Sequence, residues 1–192
     1  MQAPALSPVM IVVLDGFADW ETPQIAGIGG GFYGLPVRYV TPGGGTVRSL
    51  GGLTVAGLAD AVPAPDDIVV LCGGDAWTRA DAPDLSAMLR DAHGRGKTVA
   101  GICAATLALA RAGLLAGRAH TSNGLDFLRH YLPAYADAAH YRDQPQAVAD
   151  GGIITAPGSA PITFAAEVLR AAGLPQDKLD EFLTRASAEV RR

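Results

Sequence analysis

A set of short, unbroken apolar runs, each stopping at a glycine-rich turn or a reactive side chain, constrains this chain more than any other feature. Residues 9–14 read Val-Met-Ile-Val-Val-Leu and end at Asp15-Gly16. Residues 37–40 stop at Thr41-Pro42-Gly43-Gly44-Gly45, residues 68–72 stop at Gly73-Gly74, and residues 98–102 run straight into Cys103. Continuous rather than alternating hydrophobicity suits strands buried on both faces, as in a parallel sheet covered by helices. Helical spacing fills the intervals. Residues 20–28 form one such segment, which the triple glycine at 29–31 is expected to end or interrupt. Residues 84–90 carry apolar groups at 85, 88 and 89, and the Ala/Leu-rich 104–115 ends near Gly113 and Gly117, a cap region. A short strand over 152–155, a helix over 164–172 and a helix over 176–190 complete the alternation. The expected fold is α/β: one domain over residues 1–192, a flavodoxin-like doubly wound sandwich. Its central sheet is mostly parallel, with helices on both faces and a small peripheral hairpin.

Charge and composition exclude several classes of function. The net charge is −4 and only 18% of residues are charged, so no clustered basic face suggests a nucleic-acid partner. Two cysteines, Cys72 and Cys103, are too few for a disulfide scaffold or a multi-cysteine zinc module. No His, Cys, Asp and Glu cluster has metal-ligand spacing, and no metal or cofactor is expected. No apolar run approaches the roughly 18 residues of a membrane span, and residues 1–8 lack the pattern of a signal peptide. The expected setting is the cytoplasm. Thr41-Pro42-Gly43-Gly44-Gly45 lacks the Gly-Lys-Ser/Thr ending of a phosphate loop.

In a doubly wound sheet, ligands bind beyond the carboxyl ends of the strands. That rule gathers residues 15–21, 72–77 and 103–106 around one cleft. Gly101-Ile102-Cys103-Ala104-Ala105 has the layout of a nucleophile elbow: a buried strand, one reactive side chain, then small residues opening a helix. Amides at that helix start are expected to favour a thiolate and lower its pKa. Each residue also has a plainer reading. A lone cysteine is often a small buried hydrophobe, and Glu21 suits the first turn of a helix. Cys72 reads as a buried apolar residue, or as a resolving thiol reaching Cys103 from the neighbouring strand end. Asp75 and Trp77 either line the pocket mouth or, for Trp77, pack a subunit contact. His93 reads as a surface helix end, His130 as a helix terminus and His140 as part of a strand.

Gly-Ile-Cys-Ala-Ala-Thr-Leu-Ala-Leu-Ala, followed by Ala-Gly-Leu-Leu-Ala-Gly, resembles the nucleophile elbow of the PfpI and Parkinson-disease-protein family. That family is a branch of the class I glutamine amidotransferase-like superfamily. Phe17-Ala18-Asp19-Trp20-Glu21, Val69-Val70-Leu71-Cys72-Gly73-Gly74 and the segment 150–158 with Phe164-Ala165-Ala166-Glu167 extend the likeness over about residues 9–170. The resemblance implies Cys103 as nucleophile or oxidisable thiol, Glu21 as the carboxyl bonded to its sulfur, and Gly74 and Ala104 as oxyanion-hole amides. It implies a polar group near the cysteine from the segment after the nucleophile helix: His120, Ser122 or Asn123. Asp19 and Gly73 join Asp75 and Trp77 as candidate pocket residues. Two departures matter. Ala104 stands where PfpI-type proteases carry a histidine, and no His-x-Glu element follows as in true glutamine amidotransferases. The expectation is therefore neither an efficient protease nor an amidotransferase. It is a cysteine-dependent hydrolase, hydratase or glyoxalase/deglycase acting on a small carbonyl or amide. The alternatives are a redox-responsive stress protein whose cysteine oxidises, or a chaperone-like module without turnover. A homodimer is expected by resemblance.

Overall fold

The computed structural model describes residues 5–188. Strand β1 (Val9–Val12) opens the chain, and after a loop comes a π-wound helix over Gln24–Gly30 that continues as α1 (Gly31–Tyr33). Strands β2 (Val37–Val40), β3 (Gly45–Arg48) and β4 (Thr54–Leu58) precede β5 (Ile68–Leu71), a 3-10 turn (Asp75–Thr78) and α2 (Ser86–Gly94). Next are β6 (Val99–Ile102), a 3-10 turn over Cys103–Ala105, α3 (Thr106–Arg111) and α4 (Leu125–Tyr131). A further 3-10 turn (Asp137–His140), β7 (Val148–Asp150), β8 (Ile153–Ala156), α5 (Pro161–Ala171) and α6 (Gln176–Ser187) end the described chain.

Six strands form the central sheet in the order β2-β1-β5-β6-β8-β7. All neighbours are parallel except β7, which closes the β8 edge antiparallel. Taking the parallel strands alone, the chain winds one way from β1 to β2 and the other way from β1 through β5, β6 and β8. That reversal is the switch point of a flavodoxin-like sheet. The β3–β4 hairpin stands apart as a second, two-stranded antiparallel sheet. The mixed α/β architecture agrees with the pattern of apolar runs, and the expected peripheral hairpin is formed by residues outside those runs.

Strict alternation along the strands explains why those runs carry no polar break. Val9, Ile11, Val70, Ala100 and Ile102 pack on one face against Ile25, Phe164, Val168 and Phe182. Met10, Val12, Val69, Leu71 and Val99 pack on the other against Trp77, Leu89, Leu109 and Leu115. Both faces are dry, so both sets of alternate positions must be apolar.

The triple glycine does not end the first helical segment, which runs through Gly29–Gly31 to Tyr33. A Cβ at Gly29 would lie 3.0 Å from Leu35 and 3.1 Å from Leu169, so glycine lets the helix backbone close onto α5. The expected strand at His140 is instead the end of a 3-10 turn, followed by one isolated parallel bridge of Tyr141 to His120 in which the His140 carbonyl accepts the His120 N–H at 3.3 Å. The expected tail helix is observed as Gln176–Ser187, and residues 189–190 of that expectation lie outside the described residues. No helix among the described residues is long and apolar enough to cross a membrane.

Phe164 of α5 is fully buried at the centre of one layer. Phe164→Ala should lower the unfolding free energy by about 3–5 kcal/mol in urea titration, the usual result of emptying an aromatic site in a packed core. A loss below about 1 kcal/mol would show that α5 does not close that face.

Candidate active site

Three strand ends converge at the switch point: β1 leads to Glu21, β5 to Gly73-Gly74 and β6 to Cys103. Cys103 has φ 59°, and among the described residues it is the one non-glycine with positive φ. A β-strand must turn into a helix within one residue there, and the left-handed conformation lifts the side chain off the sheet. The turn that follows needs small residues, which Ala104 and Ala105, both buried, supply. Thr106 Oγ1 donates to the Cys103 carbonyl at 2.7 Å and fixes the elbow from below.

Glu21 is fully buried. Its Oε2 accepts the Gly73 N–H at 2.7 Å, while Oε1 has no hydrogen-bond partner of good geometry. The carboxyl and the Cys103 thiol act on each other directly, and Oε1 and the sulfur both lie beside Gly158. Two glycines make this approach physically feasible. A Cβ at Gly73 would lie 2.4 Å from Glu21 Oε2 and 2.6 Å from Cys103 Cβ. A Cβ at Gly158 would lie 2.9 Å from the sulfur and 3.0 Å from Oε1. Any side chain at either position would push carboxyl and thiol apart.

The electrostatics follow from burial. Loss of water pushes the Glu21 carboxyl up from 4.5 to about 7, against the lowering effect of its hydrogen bonds from Cys103 and Gly73. Burial, and then the adjacent Glu21 charge, push the Cys103 thiol up to about 11, against donation from Asn123 and the Ala104 amide. The expected lowering of the thiol pKa is thus reversed. Desolvation and a neighbouring carboxyl outweigh the start of a helix of only six residues. The two groups form one acid pair. It gives up a first proton near neutrality and keeps the second well into the alkaline range.

Asn123 is an exposed residue that bridges the sulfur and Gly158. Its Nδ2 donates to Cys103 Sγ at 3.1 Å and its Oδ1 accepts the Gly158 N–H at 2.9 Å. His120 does not join them. It is buried, with Nδ1 against the Arg118 carbonyl at 2.7 Å and Nε2 against the Tyr135 hydroxyl, wedged edge-on between Tyr135 and Tyr141. Both ring nitrogens are occupied by groups remote from the cysteine, and burial lowers the His120 pKa. Among the described residues, no histidine is hydrogen-bonded to Cys103. Ser122 bonds Thr106 Oγ1 at 2.7 Å rather than the sulfur, so it holds the loop to the elbow.

The remaining expected residues separate cleanly. Trp77 neither lines the mouth nor faces a partner; it is fully buried, with its indole N–H on the Cys72 carbonyl at 2.7 Å. Asp75 is exposed on the adjoining 3-10 turn. Asp19 accepts the Ser49 hydroxyl at 2.6 Å and ties the Glu21 loop to the hairpin side of the molecule. Gly74 has φ 146°, and a Cβ there would lie 2.5 Å from the Gly16 carbonyl oxygen, so backbone packing dictates glycine. Cys72 is fully buried, with its thiol donating to the Ala18 carbonyl at 3.3 Å, and both cysteines are free. Sequence reading missed Gly158, which stands over the sulfur, and Trp20, whose indole N–H reaches the Gly158 carbonyl at 3.3 Å from a half-exposed position. The only signal for Gly158 is the Pro157-Gly158 turn after a buried strand. No group of three or more metal-ligating side chains occurs among the described residues.

A flavodoxin-like sheet with a strained elbow cysteine and a buried carboxyl at its switch point defines a class of α/β elbow-thiol proteins. The chain belongs to the DJ-1/PfpI family, whose model matches residues 7–171. It is 35% identical over 184 residues to the uncharacterized protease YoaZ of Bacillus subtilis, covering 91% of this chain and 84% of that one. A solved DJ-1 superfamily protein of Agrobacterium tumefaciens is 40% identical, with TM-score 0.90 over 97% of this chain and 100% of that one. Drosophila melanogaster DJ-1beta, at 22% identity and TM-score 0.70 over 95% of this chain and 98% of that one, shares the fold.

The Glu21 shift makes a signed prediction. Between 4.5 and about 7 the folded chain keeps a proton that the unfolded chain has released, so stability falls as pH rises through that window. Measured against Glu21→Gln, the wild type should lose about 3 kcal/mol of unfolding free energy from about pH 5 to about pH 8. A difference independent of pH would contradict the buried pair. Gly158→Ala should slow alkylation of Cys103 by iodoacetamide about tenfold or more, its Cβ contacting the sulfur directly, while the thermal midpoint changes by only a few degrees. An unchanged alkylation rate would mean that Gly158 does not cover the thiol.

Proposed function

We propose that this protein uses Cys103 as a nucleophile toward small, electrophilic carbonyl compounds, with Glu21 as the proton donor. The observation that carries this reading is the buried Glu21 carboxyl beside the elbow thiol, with its Oε1 left without a hydrogen-bond partner. A carboxyl that keeps its proton near neutrality beside a thiol is the acid half of an acid–nucleophile pair. In the reactive form the proton is on Oε1 and the charge on sulfur. The thiolate attacks the carbonyl carbon, a C–S bond forms, and the C=O π pair moves to oxygen. That oxygen takes the Glu21 proton, giving a hemithioacetal and a carboxylate with no change in net charge. The Ala104 N–H, which already points at the sulfur, and the Gly74 N–H are the donors for the developing oxyanion. With no histidine at the sulfur, an amine leaving group has no ready proton donor of the protease kind, which favours addition, hydration or isomerisation over peptide cleavage.

A second reading is supported by the same orphan atom. A protonated Oε1 next to a half-buried cysteine is placed to donate to an oxygen of a Cys103 sulfinate formed by peroxide. A homodimer is part of this reading, and five large apolar side chains, Trp20, Phe32, Leu50, Leu53 and Val62, are at least half exposed and open to a partner copy. The cytoplasm is the compartment in which free thiols such as these persist.

Methylglyoxal and a panel of small amides separate the readings. The carbonyl reading expects turnover of methylglyoxal that Cys103→Ala abolishes. Equal behaviour of wild type and Cys103→Ala across the panel would remove it. The redox reading expects intact-mass gain of two oxygens at low peroxide equivalents, lost in Cys103→Ala, and no oxidation under those conditions would remove that one.

A further inference from the structure

The segment carrying Asn123 is held on three sides. The Thr121 N–H donates to Thr155 Oγ1 at 2.9 Å, and Ser122 Oγ pairs with Thr106 Oγ1 at 2.7 Å. Tyr141 Oη donates to the Ser122 carbonyl at 3.3 Å. Asn123 therefore meets the sulfur from a fixed backbone. Its amide has one possible orientation, because the Gly158 N–H is a donor and its partner at 2.9 Å must be the carbonyl oxygen of the amide. The NH2 end is then forced toward Cys103 Sγ, at 3.1 Å.

A donor locked in this way distinguishes the two ways of placing one negative charge on the Cys103/Glu21 pair. An N–H aimed at sulfur stabilises a thiolate strongly and a neutral thiol weakly. The Ala104 N–H acts in the same sense. The Gly73 N–H opposes them by favouring a Glu21 carboxylate. The other titratable group coupled to this pair is Cys72, buried, neutral and itself pushed well above its ordinary value by burial and by Glu21. No lysine, arginine or histidine is among the groups acting on the Cys103 thiol.

We propose that Asn123 is a catalytic residue of this site: locked by Gly158, its Nδ2–H stabilises negative charge on the Cys103 sulfur and so supports the form of the pair in which the proton lies on Glu21 and the sulfur attacks. This inference rests on the Cys103–Glu21 pair of the preceding reading, and it names the group that puts that pair in its reactive form. Asn123 fills part of the role of a histidine beside the nucleophile, supporting the thiolate. It carries no exchangeable charge, so Glu21 is the sole proton carrier at the sulfur.

The test is a pH titration of thiolate ultraviolet absorbance, with the carboxylic-acid infrared band of Glu21 assigned by its loss in Glu21→Gln. Wild type, Asn123→Asp and Asn123→Ala are compared. Asn123→Asp keeps an oxygen for the Gly158 N–H but removes the donor, so it retains the loop and carries the test if Asn123→Ala fails to fold. In the wild type, Cys103 alkylation should rise with pH and level off near neutrality, where the pair has lost its first proton, and the Glu21 acid band should fade over the same range. In Asn123→Ala, and more so in Asn123→Asp, whose carboxylate adds repulsion to the loss of the donor, the thiolate absorbance should appear at higher pH than in the wild type, and iodoacetamide alkylation at neutral pH should fall about tenfold or more. A thiolate titration and alkylation rate in Asn123→Asp equal to those of the wild type would overturn the proposal. No carbonyl substrate enters this experiment, so a failure to turn over methylglyoxal would leave its outcome intact.

Discussion

The close approach of a buried carboxyl and a thiol is the contact on which the rest of this structure depends. Glu21 and Cys103 come from loops after different strands and meet where the sheet reverses its winding direction. Nothing apolar compensates the desolvation of either group, so backbone N–H groups and fixed amides must do so. The Gly73 N–H takes one carboxyl oxygen, and the Ala104 N–H and Asn123 take the sulfur. The dry, alternating layers on both faces of the sheet hold these donors in place without contributing to the chemistry.

Glycine is the residue that permits the contact. At Gly73 and Gly158 a single methyl group would occupy the space in which sulfur and carboxyl approach each other. The strain at Cys103 has the same origin. The turn from β6 into α3 must be abrupt enough to aim the side chain out of the sheet, so a non-glycine residue accepts a left-handed backbone. Both features concentrate at the site, while the strands behind it are regular and fully buried.

Much of this was legible in the sequence because the physics behind it is local. Unbroken apolar runs at 9–14, 68–72 and 98–102 could only be strands covered on both faces, and their ends pointed to Glu21, Gly73 and Cys103. What was not legible depended on direction. His120 and Asn123 are three residues apart in one loop, and spacing offers no way to tell which one faces the sulfur. The fold turns the ring of His120 toward Tyr135 and the amide of Asn123 toward Cys103. Trp77 likewise follows a glycine pair at the site mouth but points into the core, where Cys72 offers a carbonyl for its indole. The thiol pKa departs from the sequence expectation for a related reason. A helix start is visible in sequence, whereas the degree of burial that overrides it is a property of the packed site.

The central claim is that Cys103 and Glu21 ionise as one unit. The pH profile of Cys103 alkylation in wild type and in Glu21→Gln tests it most directly. The account predicts an inflection near 7 in the wild type that disappears when the carboxyl is replaced by an amide. The same single inflection in both proteins, at the value of an ordinary thiol, would contradict it.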